Sequence, residues 1–401
     1  MKINKIINLF LLVISIDILI TGTGNWTDYI GINIRKLSLI VICLLTTVVW
    51  LRDNKIKIKI LAIEVMLLIF LMVWGWIIPQ IEGTEIKYSL GDSLPLYGLL
   101  FLIPIYEYIN RYLNWIIVRN FLYITIKIFA LFHIFLFIMS IIYSFTNEDI
   151  AVINRILDGG KESINIGYRL DFGVVSGSSI FLFMGLYLAL TNNKKSLIDI
   201  LIIFVAILLT GTRSFGIGAI LLFGSYILKN YIDIKRIASK LLFSTYTFSI
   251  ILLTIPVVVI LNYGLFKPEA LSRPESDNYR IEQISGMIEK IINNPFFGIG
   301  FGGHAELISS DTAPYSYELS ILALMMKLGL IGTIYLATIF YMYVVNGYNK
   351  KLDSRKLKNV TFWLLSVMII VFMANTNPYL FSFLGIYLIF FFYLDYRNIN
   401  A

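Results

Sequence analysis

The chain has 401 residues, 58% of them hydrophobic and 14% charged, with a formal net charge of +8 and a mean hydropathy of +0.81. A soluble domain has too little interior to hide so much apolar surface, so the composition points to membrane helices. The positive charge does not call for nucleic acid, because the basic residues sit mainly in short loops between apolar runs. Cys43 stands alone, which excludes an internal disulfide, and two histidines, His133 and His304, leave little for a metal centre. No CxxC, HExxH, P-loop or EF-hand pattern is present.

In chain order, about twelve apolar segments are able to span or nearly span a bilayer. They lie at roughly 6–22, 33–51, 60–79, 94–110, 121–145, 172–191, 197–210, 214–228, 241–262, 319–345, 360–375 and 378–394. The expected fold is an all-α integral membrane protein of about twelve transmembrane helices, one polytopic domain over residues 1–401. Several segments fall short of the ~20 residues of a straight span, so their polar ends are expected inside the bundle. Segments seven and eight are expected to meet at a bend at 210–214. The first segment lacks a small-x-small cleavage site before "TGTGNWTDY" and reads as an anchor helix. With the N-terminus inside, 20 Lys and Arg fall in inner loops and about 11 in outer ones, which places both termini in the cytoplasm. No internal repeat or low-complexity tract is visible.

The outer loops, 80–93, 146–171 and 263–318, are acidic and longer, and the largest, 263–318, is too long for a mere connector. Within it "RIEQISGMIEKIINN" spaces Ile281, Ile284, Ile288, Ile291 and Ile292 helically, with Glu282, Glu289 and Lys290 opposite. This is an amphipathic helix, either lying on the outer membrane surface or packing under the loop. "NNPFFGIGFGGH" follows: Asn294-Pro295 ends the helix, and Gly298, Gly300, Gly302 and Gly303 allow close backbone approach.

Charges near membrane depth are functional candidates. Lys127 and Glu64 lie near helix ends and can snorkel, and His133 reads as a hydrogen-bonded interior histidine. Asp17 and Lys327 are deep enough to need partners and read as structural. Gly173, Gly177, Gly329 and Gly332 fit close helix packing. Arg213 in "LLTGTRSFGIGAILLF", Arg169 in "GYRLDFG" and Arg280 in "DNYRIEQ" all stand at outer-face helix ends. Arginine's planar fork suits phosphate oxygens, so the three can converge on one anion. Lipid headgroup binding and helix capping are the alternatives. Glu318 and His304 are the candidates for a base beside this site, though a glutamate at a helix start also simply complements the dipole.

"LLTGTRSFGIGAILL", "RIEQISGMIEKIINNPFFGIGFG", "YELSILALMMKLGLIG" and "NTNPYLFSFLGIYLIFF", in that order, resemble the O-antigen polymerase/ligase superfamily of bacterial envelope enzymes. The resemblance covers about residues 165–395. It implies a glycosyltransferase of the cytoplasmic (inner) membrane that takes glycan from an undecaprenyl-diphosphate-linked oligosaccharide donor and passes it to an acceptor hydroxyl, without metal or other cofactor. It further implies contact with membrane lipids and a chain-length regulator as protein partner. The family's functional arginines map onto Arg213 and Arg280, with Arg169 a looser match. Ligase members carry a His-Asn pair ahead of the glycine matched by Gly329, where this chain has Glu318, so polymerase is favoured over ligase. A flippase or transporter of lipid-linked oligosaccharide is the reading from another class; without a repeat it is disfavoured.

Overall fold

The computed structural model describes Asn8, Leu12 and residues 34–52, 58–101, 104–105, 108–109, 112–143, 165–166, 174–175, 177–191, 196–210, 213–231, 274–306, 314–317, 319–346, 354–375 and 383–400. Helix α1 is Ile34–Arg52. Helix α2 starts at Ile58 and ends at Ile81, with a π-turn at Val73–Ile77. Helix α3 is Ile86–Tyr97, closed by a 3-10 turn at Gly98–Phe101, and α4 is Trp115–Tyr143. Strands β1 (Asn165–Ile166) and β2 (Val174–Val175) form a short antiparallel ladder. Then come α5 (Phe181–Thr191), α6 (Leu197–Leu208), α7 (Arg213–Tyr231), α8 (Pro274–Asn293), α9 (Ser320–Asn346), α10 (Ser354–Asn375) and α11 (Phe383–Asn400).

The expectation of twelve spans is overturned. Among the described residues, three helical stretches are long and apolar enough to cross a membrane by length and composition: Leu61–Ile81, Trp115–Met139 and Ser320–Met342. These support membrane association. Several other apolar runs are cut short by backbone geometry. The run at 172–191 begins with β2 and a 3-10 turn, leaving eleven helical residues in α5. The run at 94–110 breaks at the 3-10 turn after α3. At 197–210 only twelve residues are helical, between the Ser196 cap and the Leu209–Thr210 turn, and that turn does separate α6 from α7 near the expected bend. The segments expected at 6–22 (Asn8 and Leu12 apart) and 241–262, and the charge Asp17, lie outside the described residues.

Burial follows a membrane logic. Every residue from Phe181 to Leu190 is buried; a helix apolar all round belongs inside other helices, and α5 is packed by α4, α6 and α7. Helix α3 is inverted relative to a soluble helix. It buries Ser89, Asp92 and Ser93 and exposes Ile86, Leu90 and Leu94. The exposed three recur every four residues and form one apolar stripe, while the polar face turns toward α2 and the segment after α8. Helix α8 packs on α9, burying Gln283 and Met287 completely. Ile284 and Ile291 join Tyr317, Leu322 and Met326 in a small second core, whereas Ile281 and Ile292 stay exposed. The helix expected in "RIEQISGMIEKIINN" is thus a packing helix with an apolar outer edge.

Candidate functional site

The site is built where two membrane-length helices are broken and one loop mends both. In α9, Gly329 has φ 59° and ψ −168°, a conformation outside the helical range. A regular helix would bond the Leu330 and Ile331 N–H groups to the Met326 and Lys327 carbonyls. Here those donors go instead to Pro295 O and Phe296 O, both at 2.9 Å. The freed carbonyls are taken by Ile299 N–H (3.1 Å, to Met326) and Gly300 N–H (2.8 Å, to Lys327). The segment after α8 is spliced into α9, bond for bond.

Helix α2 is opened by Pro79, which has no N–H to give to the turn before it. In the π register its absent proton would have served Trp74 O; that carbonyl accepts Phe301 N–H at 2.8 Å instead. The Gly75 carbonyl accepts the Ser89 hydroxyl from α3. The Trp74 indole N–H meanwhile lies between Phe297 O (2.9 Å) and Leu328 O (3.0 Å). Irregular backbone at membrane depth is tolerated only where buried and fully bonded, and residues 298–303 are buried throughout.

Three glycines make the fit possible, as the sequence suggested. Gly298, Gly300 and Gly302 have φ of 67°, 77° and 82°, and each rests on a different helix. A side chain would overlap the Lys327 carbonyl of α9 at Gly298, Pro79 of α2 at Gly300 and the Ser89 backbone of α3 at Gly302.

A buried ion pair holds the loop. Lys327 Nζ lies 2.7 Å from Asp92 Oδ2, both side chains under a tenth exposed. The same oxygen accepts Gly302 N–H at 2.8 Å, and Lys327 donates to the Tyr315 carbonyl at 2.8 Å. The need of Lys327 for a partner was legible from sequence; Asp92, assigned to an acidic outer loop, was not. Nearby, Ala305 N–H donates to the Tyr317 hydroxyl at 2.7 Å. Burial, then the Asp92 carboxylate, raises the Tyr315 phenol above its ordinary value.

Of the five residues read from sequence as catalytic or diphosphate-binding candidates, His304 is the one whose side chain is described. It is exposed at the end of the glycine segment, with Nδ1 3.0 Å from Ala305 O and its ring edge-on to Tyr88. Arg213 begins α7 and Arg280 lies in the first half of α8, both described in backbone only. Arg169 and Glu318 lie outside the described residues. Among the described residues no three His, Cys, Asp or Glu side chains gather as metal ligands. His133 is buried and meets Ser179 at 3.2 Å through Nε2, the hydrogen-bonded interior role expected of it. Lys127 does not snorkel freely, because it pairs with Asp199 at 2.6 Å. Asp92, Trp74, Pro79 and Ser89 were missed; the available signals were a proline in "WGWIIPQI" and a polar "SLGDSLP" beside apolar runs.

The likeness of the chain to known proteins bears on this arrangement. Over 391 residues it is 26% identical to a protein named O-antigen polymerase from Shigella flexneri, covering 96% of this chain and 94% of that protein. The chain is similar to an O-antigen polymerase from end to end. No family model and no solved structure matches it.

Proposed function

We propose that this chain is a glycosyltransferase of the polymerase type. It joins polyprenyl-diphosphate-linked repeat units into a surface polysaccharide at the outer face of the cytoplasmic membrane. The observation that carries the reading is the end-to-end likeness to a protein named O-antigen polymerase. Membrane-length helices and a bonded loop beside buried charges support it.

In this reading the acceptor sugar's hydroxyl oxygen attacks the anomeric carbon of the donor. The bond from that carbon to the diphosphate oxygen breaks, and polyprenyl diphosphate departs with the electron pair. Arg213 and Arg280, with Arg169, hold the departing diphosphate and stabilise its charge. Glu318 or His304 accepts the hydroxyl proton.

The test uses purified protein with lipid-linked repeat units and a gel that resolves product length. Arg213→Ala and Arg280→Ala should abolish chain extension while the protein stays folded in the membrane, with lysine restoring activity only in part. Glu318→Gln should slow turnover by about 10²–10⁴-fold if Glu318 is the base; the larger loss in His304→Ala would assign the proton to His304. Normal extension by both arginine variants would sink the diphosphate assignment.

The broken α9 with its buried ion pair favours one second reading, a carrier that flips lipid-linked oligosaccharide, since broken helices and buried charges recur at transporter sites. A deletion strain separates the two. Loss of a polymerase leaves single lipid-linked units at the outer face, whereas loss of a flippase leaves them at the inner face. Finished chains stranded on the carrier would indicate a ligase.

A further inference from the structure

Tyr88 of the first turn of α3, Tyr315 and His304 come from three separate segments and meet as one group of rings. The Tyr88 centroid is 6.4 Å from His304, with planes at 88°, and 6.2 Å from Tyr315, with planes at 60°. Other rings of this region, such as Phe70 and Phe301, are closed in. These three keep accessible surface: His304 is exposed, Tyr88 and Tyr315 half-buried.

The group has a floor and a rim. The floor is the ammonium of Lys327, 5.6 Å from the Tyr315 centroid and fixed by its pair with Asp92. The rim is Lys87, whose ammonium lies 4.6 Å from the Tyr88 centroid and 2.7 Å from Glu85, both side chains well exposed. Tyr315 is held in place, because its carbonyl accepts from Lys327. Its hydroxyl sits over Gly91, where an added Cβ would come within 2.6 Å.

We propose that these rings form a platform for one pyranose ring of the glycan substrate; this rests on the glycosyltransferase reading and deepens it. A pyranose presents a face of C–H bonds and an edge of hydroxyls. The negative faces of tyrosine rings suit the first, while phenols, an imidazole and an ammonium supply donors and acceptors for the second. Aromatic walls with a few placed polar groups are the usual make-up of a small-ligand site. The closed ion pair stops the sugar at this level, beside His304. A tyrosine belt at the membrane boundary would also leave such rings half-exposed, but a belt does not need rings from three segments converging on an imidazole.

The probe is the soluble repeat-unit oligosaccharide cleaved from the host's own surface polysaccharide, with the full chain in nanodiscs. Saturation-transfer NMR reads binding without turnover; chain-extension kinetics read KM and kcat separately. Tyr88→Ala and Tyr88→Leu should each weaken oligosaccharide binding and raise KM for the acceptor by about tenfold, with kcat and melting temperature near those of the unmodified chain. Tyr88→Phe, which keeps the ring face, should lose less. Unchanged oligosaccharide binding in Tyr88→Leu overturns the platform, even if the chain polymerises normally. Binding lost only in step with melting temperature also overturns it. A chain that binds oligosaccharide in a Tyr88-dependent way but never extends it would uphold the platform and sink the polymerase reading.

Discussion

Asp92 and Asp395 are both buried carboxylates among apolar helices, yet they hold different things together. Asp395 on α11 is met by side chains alone: the Tyr187 hydroxyl at 2.6 Å, the Trp115 indole at 3.1 Å and Arg119 Nε at 3.5 Å. Arg119 also reaches the Thr191 hydroxyl. Every partner stands on a regular helix, so this network staples α4, α5 and α11. Asp92 and Lys327, by contrast, spend their remaining bonds on loop backbone, the Gly302 N–H and the Tyr315 carbonyl. One carboxylate fastens the scaffold; the other, with Lys327, fastens the two segments that carry His304 and Tyr315. The same chemistry therefore has different consequences when removed.

The largest effect is expected from splitting the loop's pair. Lys327→Ala leaves the Asp92 charge buried with the neutral Gly302 N–H but without its cation, and removing one partner of a buried pair costs about 3–5 kcal/mol. Thermal melting of the purified protein should fall steeply, with chain extension lost. Lys327→Met combined with Asp92→Leu should recover melting, since apolar replacements of both partners are often neutral, but not extension, because Gly302 and Tyr315 lose their anchors. Asp395→Asn should lower melting while extension per folded molecule persists. Extension lost per folded molecule in Asp395→Asn would erase the distinction between the two networks.

The glycines sharpen the contrast from the backbone side. Gly298→Ala demands a left-handed residue, at about 1–2 kcal/mol, and also overlaps the Lys327 carbonyl, adding about 1–3 kcal/mol of overpacking. Gly224→Ala in α7 meets nothing within 4 Å and should stabilise its helix by up to about 1 kcal/mol. Melting curves of the two variants should move in opposite directions.

How much of this was readable from sequence depends on how local the cause is. Helices α2, α4, α9 and α10 announce themselves through apolar runs, and the α8 stop at Asn294-Pro295 through its turn residues. The close approach of Gly298, Gly300 and Gly302 was legible because glycine spacing is itself the signal. The break at Gly329 was not: the residues that replace its lost bonds, Pro295 to Gly300, lie some thirty positions earlier in the chain. In "KLGLIG" that glycine looked like a packing position. Asp92 was hidden for the same reason, its partner lying in α9 and its helix in a stretch assigned to a loop. The twelve-span count failed because apolar composition does not reveal where 3-10 turns and strands shorten a helix, as before α5.

The finest separation comes from single hydroxyls, and there the comparison becomes chemically even. Tyr187→Phe removes the donor closest to Asp395, which keeps Trp115 and Arg119. Ser89→Ala removes the donor to Gly75 O, the carbonyl beside the Pro79 break. Each change leaves one buried acceptor short of a partner, at about 1–3 kcal/mol, so the two should melt at similar temperatures. Their activities should differ. Gly302 rests directly on the Ser89 backbone, and Ser89 joins α3 to the π-turn that receives Phe301. Slack there passes to the glycine segment and to His304, raising KM for the acceptor in Ser89→Ala. Tyr187 touches no part of that segment, and Tyr187→Phe should keep its KM. Equal KM values at matched stability would mean that the loop is held by Asp92 and Lys327 alone, with the α2–α3 contact serving only the scaffold.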